Sequence, residues 1–139
     1  MSKEEKELLL KDLCSRLPYG VKVQYMNKIF DIDYISPMYG EVKLDTSGNW
    51  TIDVSEVNPY LFPLSSMTEE QKKEYNSLRD RVTTYHYENG NIVEDTELRD
   101  NWKSIDYLNA NHFDYRGLIE KGLAEDASGS VIYQYIELI

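Results

Sequence analysis

"VKVQYMNKIFDIDYISPMYGEVKLD", residues 21–45, is the stretch whose reading decides the fold. Its apolar residues recur at every second position. Val21, Val23 and Tyr25 alternate with Lys22 and Gln24. Phe30, Ile32 and Tyr34 oppose Asp31 and Asp33, and Val42 and Leu44 alternate with Glu41, Lys43 and Asp45. A period of two belongs to a strand with one wet face. "NWTIDV", residues 49–54, continues the pattern through Trp50, Ile52 and Val54. The breaks at "MNK", "SPMYG" and "DTSGN" have turn chemistry. Four short strands joined by short turns predict an antiparallel meander over about residues 21–54, coiled into a small SH3-like half-barrel.

The flanks read differently. "SKEE" at Ser2 to Glu5 is a capping box, and the helix it opens places Leu9, Leu10, Leu13, Cys14 and Leu17 on one apolar stripe. Cys14 on that stripe reads as a small core residue. Pro18 ends the helix by disfavouring helical backbone at Leu17. After the meander, Pro59 and Pro63 in "NPYLFPLSS" argue against a central strand, so the segment reads as an extended strap. "TEEQKKEYNSLRDRV", residues 68–82, predicts a surface helix with a Thr68/Gln71 capping box and a narrow seam of Tyr75, Leu78 and Val82. "TYHYENGNIVED" suggests a hairpin about Asn89-Gly90, and "TELRDNW" a helical turn with Leu98 and Trp102 four apart. The whole is an α+β chain: an N-terminal helix, the meander, then surface helices and a C-terminal helical pair with a terminal strand. It reads as a single domain over residues 1–139, with a helical C-terminal half over about 66–126.

"NHFDYRGLIEKGL", residues 111–123, concentrates the reactive side chains. His112, Asp114, Tyr115, Arg116 and Gly117 form a candidate functional or structural motif. As a catalytic site it would use His112 as base, Asp114 as its orienter and Arg116 as an anion clamp. On a helix, residues two apart point to different sides, and no nucleophile is supplied locally. As structure, Asp106 caps a helix from Tyr107 to His112, and Asp114 caps a second from Tyr115 to Lys121. Gly122 then takes a left-handed cap position with Leu123 touching Leu118, while Gly117 admits a close neighbour. That account uses nearly every residue, so no catalytic residue is assigned.

The net charge is −10, from 25 acids and 15 bases. Such a field repels nucleic acid and anionic membrane, so direct nucleic-acid binding is not expected. His86 and His112 are the only histidines, and neither has a second strong ligand at a metal spacing; no metal or cofactor is expected. Phosphate-cradling glycine loops are absent. One cysteine excludes an internal disulfide, and no apolar run approaches the ~18 residues of a membrane span, so the expectation is a cytoplasmic protein without a membrane segment. Twelve tyrosines suit half-buried positions and interfaces. "VIYQYIELI", Val131–Ile139, is β-prone enough to need a partner, in its own sheet or in a homodimer.

Three phrases, "DLCSRLPYGVKV", "NPYLFPLSSMTEEQKKEY" and "DYLNANHFDYRGLIEKGLAEDA", together resemble a family of short uncharacterised proteins encoded by gut Bacteroidetes and their phages or prophages. The resemblance runs from about Asp12 to Ala127, with a variable stretch near residues 80–103. It brings no activity or ligand with it. Family members often resemble His-His-Phe-Asp-Tyr-Arg-Gly at the last motif; here Asn111 replaces the first histidine, so a paired-histidine role does not carry over. The resemblance implies an accessory gene of mobile elements, of a kind that binds a host or phage protein. The expected function is therefore a non-enzymatic protein-binding module. The alternatives are an acidic inhibitor that mimics nucleic acid, and an enzyme using His112, Asp114 and Arg116.

Overall fold

Ser2 opens the first helix as its sequence dictates. Its Oγ accepts from the Glu5 N–H and the Glu5 carboxylate accepts from the Ser2 N–H, both at 3.0 Å. The structure, a computed structural model, describes residues 1–45, 50–130 and 132–133. Its described residues divide into two compact units, Met1–Ser66 with Asn109–Ile139, and Met67–Leu108.

In the first unit, helix α1 (Lys3–Arg16) buries Leu9, Asp12, Leu13 and Arg16, spaced i, i+3, i+4, i+7. The seam therefore contains two charged residues, with Asp12 at one edge and Leu13 at the other. Cys14 is exposed and is not a core residue. At 100° per residue it lies on the far side of Leu13 from Asp12, beyond the edge of the seam.

The meander forms as the alternation predicts. Strands β1 (Lys22–Tyr25), β2 (Lys28–Ser36), β3 (Glu41–Leu44) and β4 (Ile52–Asp53) pair antiparallel in sequence order. Met26 and Asn27 join β1 to β2 with φ of 49° and 62°, the left-handed pair of a two-residue hairpin turn. Two expectations within the meander change. The β2–β3 register shifts between Ile32 and Tyr34. The extra residue of this bulge moves the inward face on by one, so Ile35 is buried and Tyr34 is exposed. Trp50 is 79% exposed rather than inward, because only Ile52 and Asp53 pair with β3. The "DTSGN" turn falls on residues 46–49, outside the described residues.

The segment expected as a strap is strand β5 (Asn58–Pro63), and it is central. It pairs antiparallel with β1, and parallel with β8 (Phe113–Asp114) and with β9 (Glu125–Asp126). The sheet order is β4-β3-β2-β1-β5-β8, with β9 also on β5. The prolines are tolerated because they stand at positions 59 and 63. The Phe62 N–H between them still donates to the His112 carbonyl at 2.8 Å, and the Leu61 carbonyl accepts from Ala127 N–H at 2.8 Å. Leu9 and Leu13 of α1 share one buried cluster with Val23, Val42, Leu61 and Leu118.

In the second unit, helix α2 (Glu69–Leu78) carries the predicted Thr68/Gln71 capping box. It stops at Leu78, four residues short of the expected end, because Asp80 begins strand β6 (Asp80–Glu88), so Val82 lies on a strand. Strand β7 (Asn91–Arg99) completes the hairpin through Asn89 (φ 52°) and Gly90 (φ 81°). This ribbon runs through nine residue pairs and absorbs the stretch expected as a helical turn, placing Leu98 on β7. Trp102 instead opens helix α3 (Trp102–Ala110). The Asn101 side chain accepts from Ser104 N–H at 2.9 Å and Ser104 Oγ accepts from Asn101 N–H at 2.8 Å, a reciprocal cap that starts the helix well before the expected Asp106.

The second member of the expected helical pair, residues 115–121, is a run of turns rather than a helix. The last strand described is β9; the strand and dimer contact expected over Val131–Ile139 fall largely outside the described residues, of which Ile132 and Tyr133 form a turn. No helix among the described residues is long and apolar enough to cross a membrane.

Candidate functional site

Phe113 and Asp114 are held as β8 against Phe62 and Pro63 of β5, which fixes the motif at the edge of the sheet. His112 enters this strand with φ 62°, a left-handed conformation uncommon for residues with a side chain and visited more often by histidine, asparagine and aspartate than by most. The Asp114 carboxylate accepts from the Leu118 N–H (3.0 Å) and the Ile119 N–H (2.9 Å). It caps the following turn, as its position suggests, with both oxygens engaged. That turn closes as the glycine and leucine spacing predicts: the Leu123 N–H donates to the Leu118 carbonyl (2.9 Å) and Gly122 N–H to that of Ile119 (3.1 Å), the Schellman pair. Gly117 has φ 74°, and a Cβ there would meet nothing within 4 Å. Gly117 is therefore needed for its backbone angle and not, as its position suggested, for a close approach.

Arg116 turns away from His112 and toward α1. Its Nη1 donates to Asp12 Oδ1 at 2.7 Å and its Nη2 to Ser15 Oγ at 3.2 Å. The other oxygen of Asp12 accepts from Arg16 Nε at 2.8 Å, and Arg16 Nη2 donates to the Phe113 carbonyl at 2.7 Å. Asp12 and Arg16 are both 0% exposed. The Tyr115 ring lies beneath both guanidiniums, 4.4 Å from Arg116 Cζ and 5.2 Å from Arg16 Cζ, while its hydroxyl donates to Asn109 Oδ1 at 2.9 Å. An Arg–Asp–Arg triad with an aromatic floor thus ties α1 to β8 across about a hundred residues of chain.

His112 stands on the other side of the joint. Its ring stacks on Tyr133 with centroids 3.6 Å apart and planes 11° from parallel. The Tyr133 hydroxyl donates to the Tyr60 carbonyl (2.8 Å) and accepts from the Lys22 N–H (3.2 Å). Burial, and then the positive charges of Arg16 and Lys22, push the His112 pKa down to about 4. Burial pushes the Tyr133 phenol above its usual range. His112 is neutral at pH 7, and its Nδ1 is buried without a hydrogen-bond partner among the described residues, as is Nη1 of Arg16.

Asp114 does not orient His112, because both its oxygens serve backbone N–H groups. Arg116 does not share an open cleft with His112, because its guanidinium faces Asp12 and Ser15. A hollow of about 410 Å³ borders Asp114 and Tyr115, with Ser65 and Glu120 as well as apolar residues such as Leu64 and Ile119 in its lining. No group of three His, Cys, Asp or Glu able to hold a metal lies among the described residues. Asp12, Arg16, Asn109 and Tyr133 complete the motif and were not read from the sequence. The signal for the first two was present: an Asp and an Arg four apart, interrupting the apolar stripe of α1.

Comparison of the chain with protein-family models, with curated proteins and with solved structures finds no match.

Proposed function

We propose that this chain is a non-enzymatic, cytoplasmic protein-binding module of the phage or prophage accessory type. The observation that carries the reading is the β6–β7 ribbon. Nearly all of its residues are exposed, and Tyr85, Tyr87 and Ile92 stand 66%, 79% and 67% exposed near its tip. Apolar side chains that bury nothing in their own unit do not stabilise it, and they suit contact with another molecule. The reading without catalysis is supported by the engagement of Asp114 and Arg116 in a cap and a buried ion triad, so that neither serves His112 as the catalytic reading requires.

The test is affinity capture from the lysate of a gut Bacteroidetes strain, with the wild-type chain and a Tyr85→Ser/Tyr87→Ser variant side by side. A discrete protein retained at moderate salt by the first and lost by the second supports the reading. Chaperones alone, or equal retention by both, overturns it. A captured nuclease or polymerase released by competing DNA supports instead the acidic nucleic-acid mimic.

A further inference from the structure

The ribbon of Asp80–Arg99 is a two-stranded sheet with no third strand among the described residues. Both outer edges therefore carry backbone groups outside its own ladder. Which groups point outward follows from the turn. In a two-residue hairpin the pair flanking the turn, here Glu88 and Asn91, is hydrogen-bonded, and bonded and non-bonded pairs alternate from there. The N–H and C=O of Ile92, Glu94, Thr96 and Leu98 thus face away from β6; the Leu98 carbonyl already accepts from Arg79 Nη2 at 2.9 Å, so the edge offered to a partner is that of Ile92, Glu94 and Thr96. The 3.2 Å approach of the Thr83 and Thr96 hydroxyls fits this assignment, because non-bonded pairs bring side chains closest.

The two edges differ in chemistry. Between Arg81 and Tyr87, β6 has no acid, whereas between Asn91 and Leu98, β7 has Glu94, Asp95 and Glu97 and no base. Arg99 contacts Glu97, and His86 Nδ1 lies 3.2 Å from Asp95. The ribbon still has a net charge of −3, from five acids and two arginines, on a chain of −10. A second copy that docks its own β7 on this edge would place like charges together. A positively charged strand would place opposite charges in cross-strand register.

We propose that the outer edge of β7 receives an extended basic segment of a partner protein by strand addition. The inference rests on the protein-binding reading and names the chemistry of its partner. Register fixes the pattern: apolar side chains opposite Ile92, Val93 and Leu98, and lysine or arginine opposite Glu94, Asp95 and Glu97. Residues opposite Ile92 and Glu94 lie on the face that carries Tyr85 and Tyr87, where an arginine or lysine gains a cation–π contact as well.

The probe is the synthetic peptide valine–lysine–threonine–lysine–lysine–valine–valine, which runs antiparallel to β7 from Leu98 to Ile92. It is titrated into the full chain by fluorescence polarisation and by backbone amide shifts. Saturable binding with shifts at Ile92, Glu94 and Thr96 is expected. Thr96→Pro removes an outward N–H without changing charge or the ribbon's own ladder, and weakens binding by about tenfold, the loss of one or two backbone hydrogen bonds. A peptide with alternate backbone nitrogens methylated tests the same edge if that variant does not fold, and loses a similar factor. The glutamate analogue of the peptide does not bind. Equal binding by the methylated peptide and by the original shows attraction by charge alone and overturns strand addition. So does self-association of the peptide-free chain that Thr96→Pro abolishes, which assigns the edge to a second copy. If the lysate capture above succeeds through Tyr85 and Tyr87 while the peptide fails to bind, this inference falls and the protein-binding reading stands.

Discussion

Asp12 stands buried between two guanidiniums, and Asp12→Asn tests what that compensation contributes. The carboxylate is fully buried and accepts from Arg16 Nε at 2.8 Å and Arg116 Nη1 at 2.7 Å. The amide of asparagine removes the charge and turns one acceptor into a donor facing a guanidinium. Arg16, 0% exposed, is then left as an uncompensated buried cation, a situation that costs about 3–5 kcal/mol. At roughly 3 °C per kcal/mol for a chain of this size, the midpoint of thermal unfolding falls by about 10–15 °C. Arg116 offers the internal comparison. Its side chain is 15% exposed, so water takes over part of its role, and Arg116→Ala costs about 1–2 kcal/mol. Arg16→Lys is not conservative, because an ammonium cannot serve both Asp12 and the Phe113 carbonyl with the fork that spans them. The double variant Asp12→Leu/Arg16→Met removes both charges and loses much less than the two single losses added together. Urea unfolding followed by circular dichroism measures these variants together with Asp12→Leu and Arg16→Met, the two singles that close the cycle. A loss below about 1 kcal/mol for Asp12→Asn, or strict additivity in the double variant, refutes the reasoning that this triad compensates buried charge.

Two further outcomes follow from the same joint. The His112 pKa is depressed to about 4, so the unfolded chain binds a proton that the folded chain rejects between there and the ordinary 6.5. The stabilisation by neutral His112 is therefore fully present above about pH 6.5 and is lost as pH falls toward 4, by up to about 3 kcal/mol at 1.36 kcal/mol per pH unit. His112→Asn keeps a residue tolerant of φ 62° and cannot titrate; its unfolding midpoint should lose less between pH 7 and pH 5 than wild type, and parallel curves would assign the acid sensitivity elsewhere. Gly122→Ala puts a Cβ at φ 74° where nothing else is near, so backbone strain acts alone and costs about 1 kcal/mol, with Gly122→Asn costing less. Equal stability of all three residues at 122 in denaturant titration would show that the turn does not hold its left-handed angle.

The meander was legible because its inward side chains obey a period of two and its turns carry suitable residues. Where the sequence misled, a local irregularity or a tertiary partner won. A single bulge at Asp33 reversed the faces of Tyr34 and Ile35 without any glycine or proline to announce it. Pro59 and Pro63 counted against a strand, yet β5 is the most connected strand of the described sheet: β1 pairs with it at Asn58 and Pro59, and β8 and β9 pair with it over Tyr60–Pro63, where the Phe62 N–H and the Leu61 carbonyl make bonds that no proline ring blocks. Arg79 and Arg81 fall in the last turn of the helix expected over residues 68–82, where basic residues suit the helix dipole. Arg79 instead donates to the Leu98 carbonyl at 2.9 Å, and Arg81 pairs with Leu98 across the ribbon. Neither contact has a signature in a sequence window, because its partner lies almost twenty residues away.

The motif at residues 112–117 shows why a dense group of polar residues is ambiguous in a sequence. A catalytic site and a buried joint both need side chains that hydrogen-bond in a dry environment, so both favour His, Asp, Tyr and Arg. They differ in where the bonds end. In a relay the donors and acceptors converge on a reacting atom; here they diverge. Asp114 ends on two backbone N–H groups, Arg116 on Asp12 and Ser15, Tyr115 on Asn109, and His112 on the face of Tyr133. Burial then acts in opposite directions on the two possible uses of His112. It lowers the proton affinity that a general base requires at pH 7, and it favours the neutral ring that stacks on a phenol. The same desolvation that weakens the histidine as a base fits it as a packing element, which is why the divergence of its neighbours' bonds carries more weight than the identities of the residues.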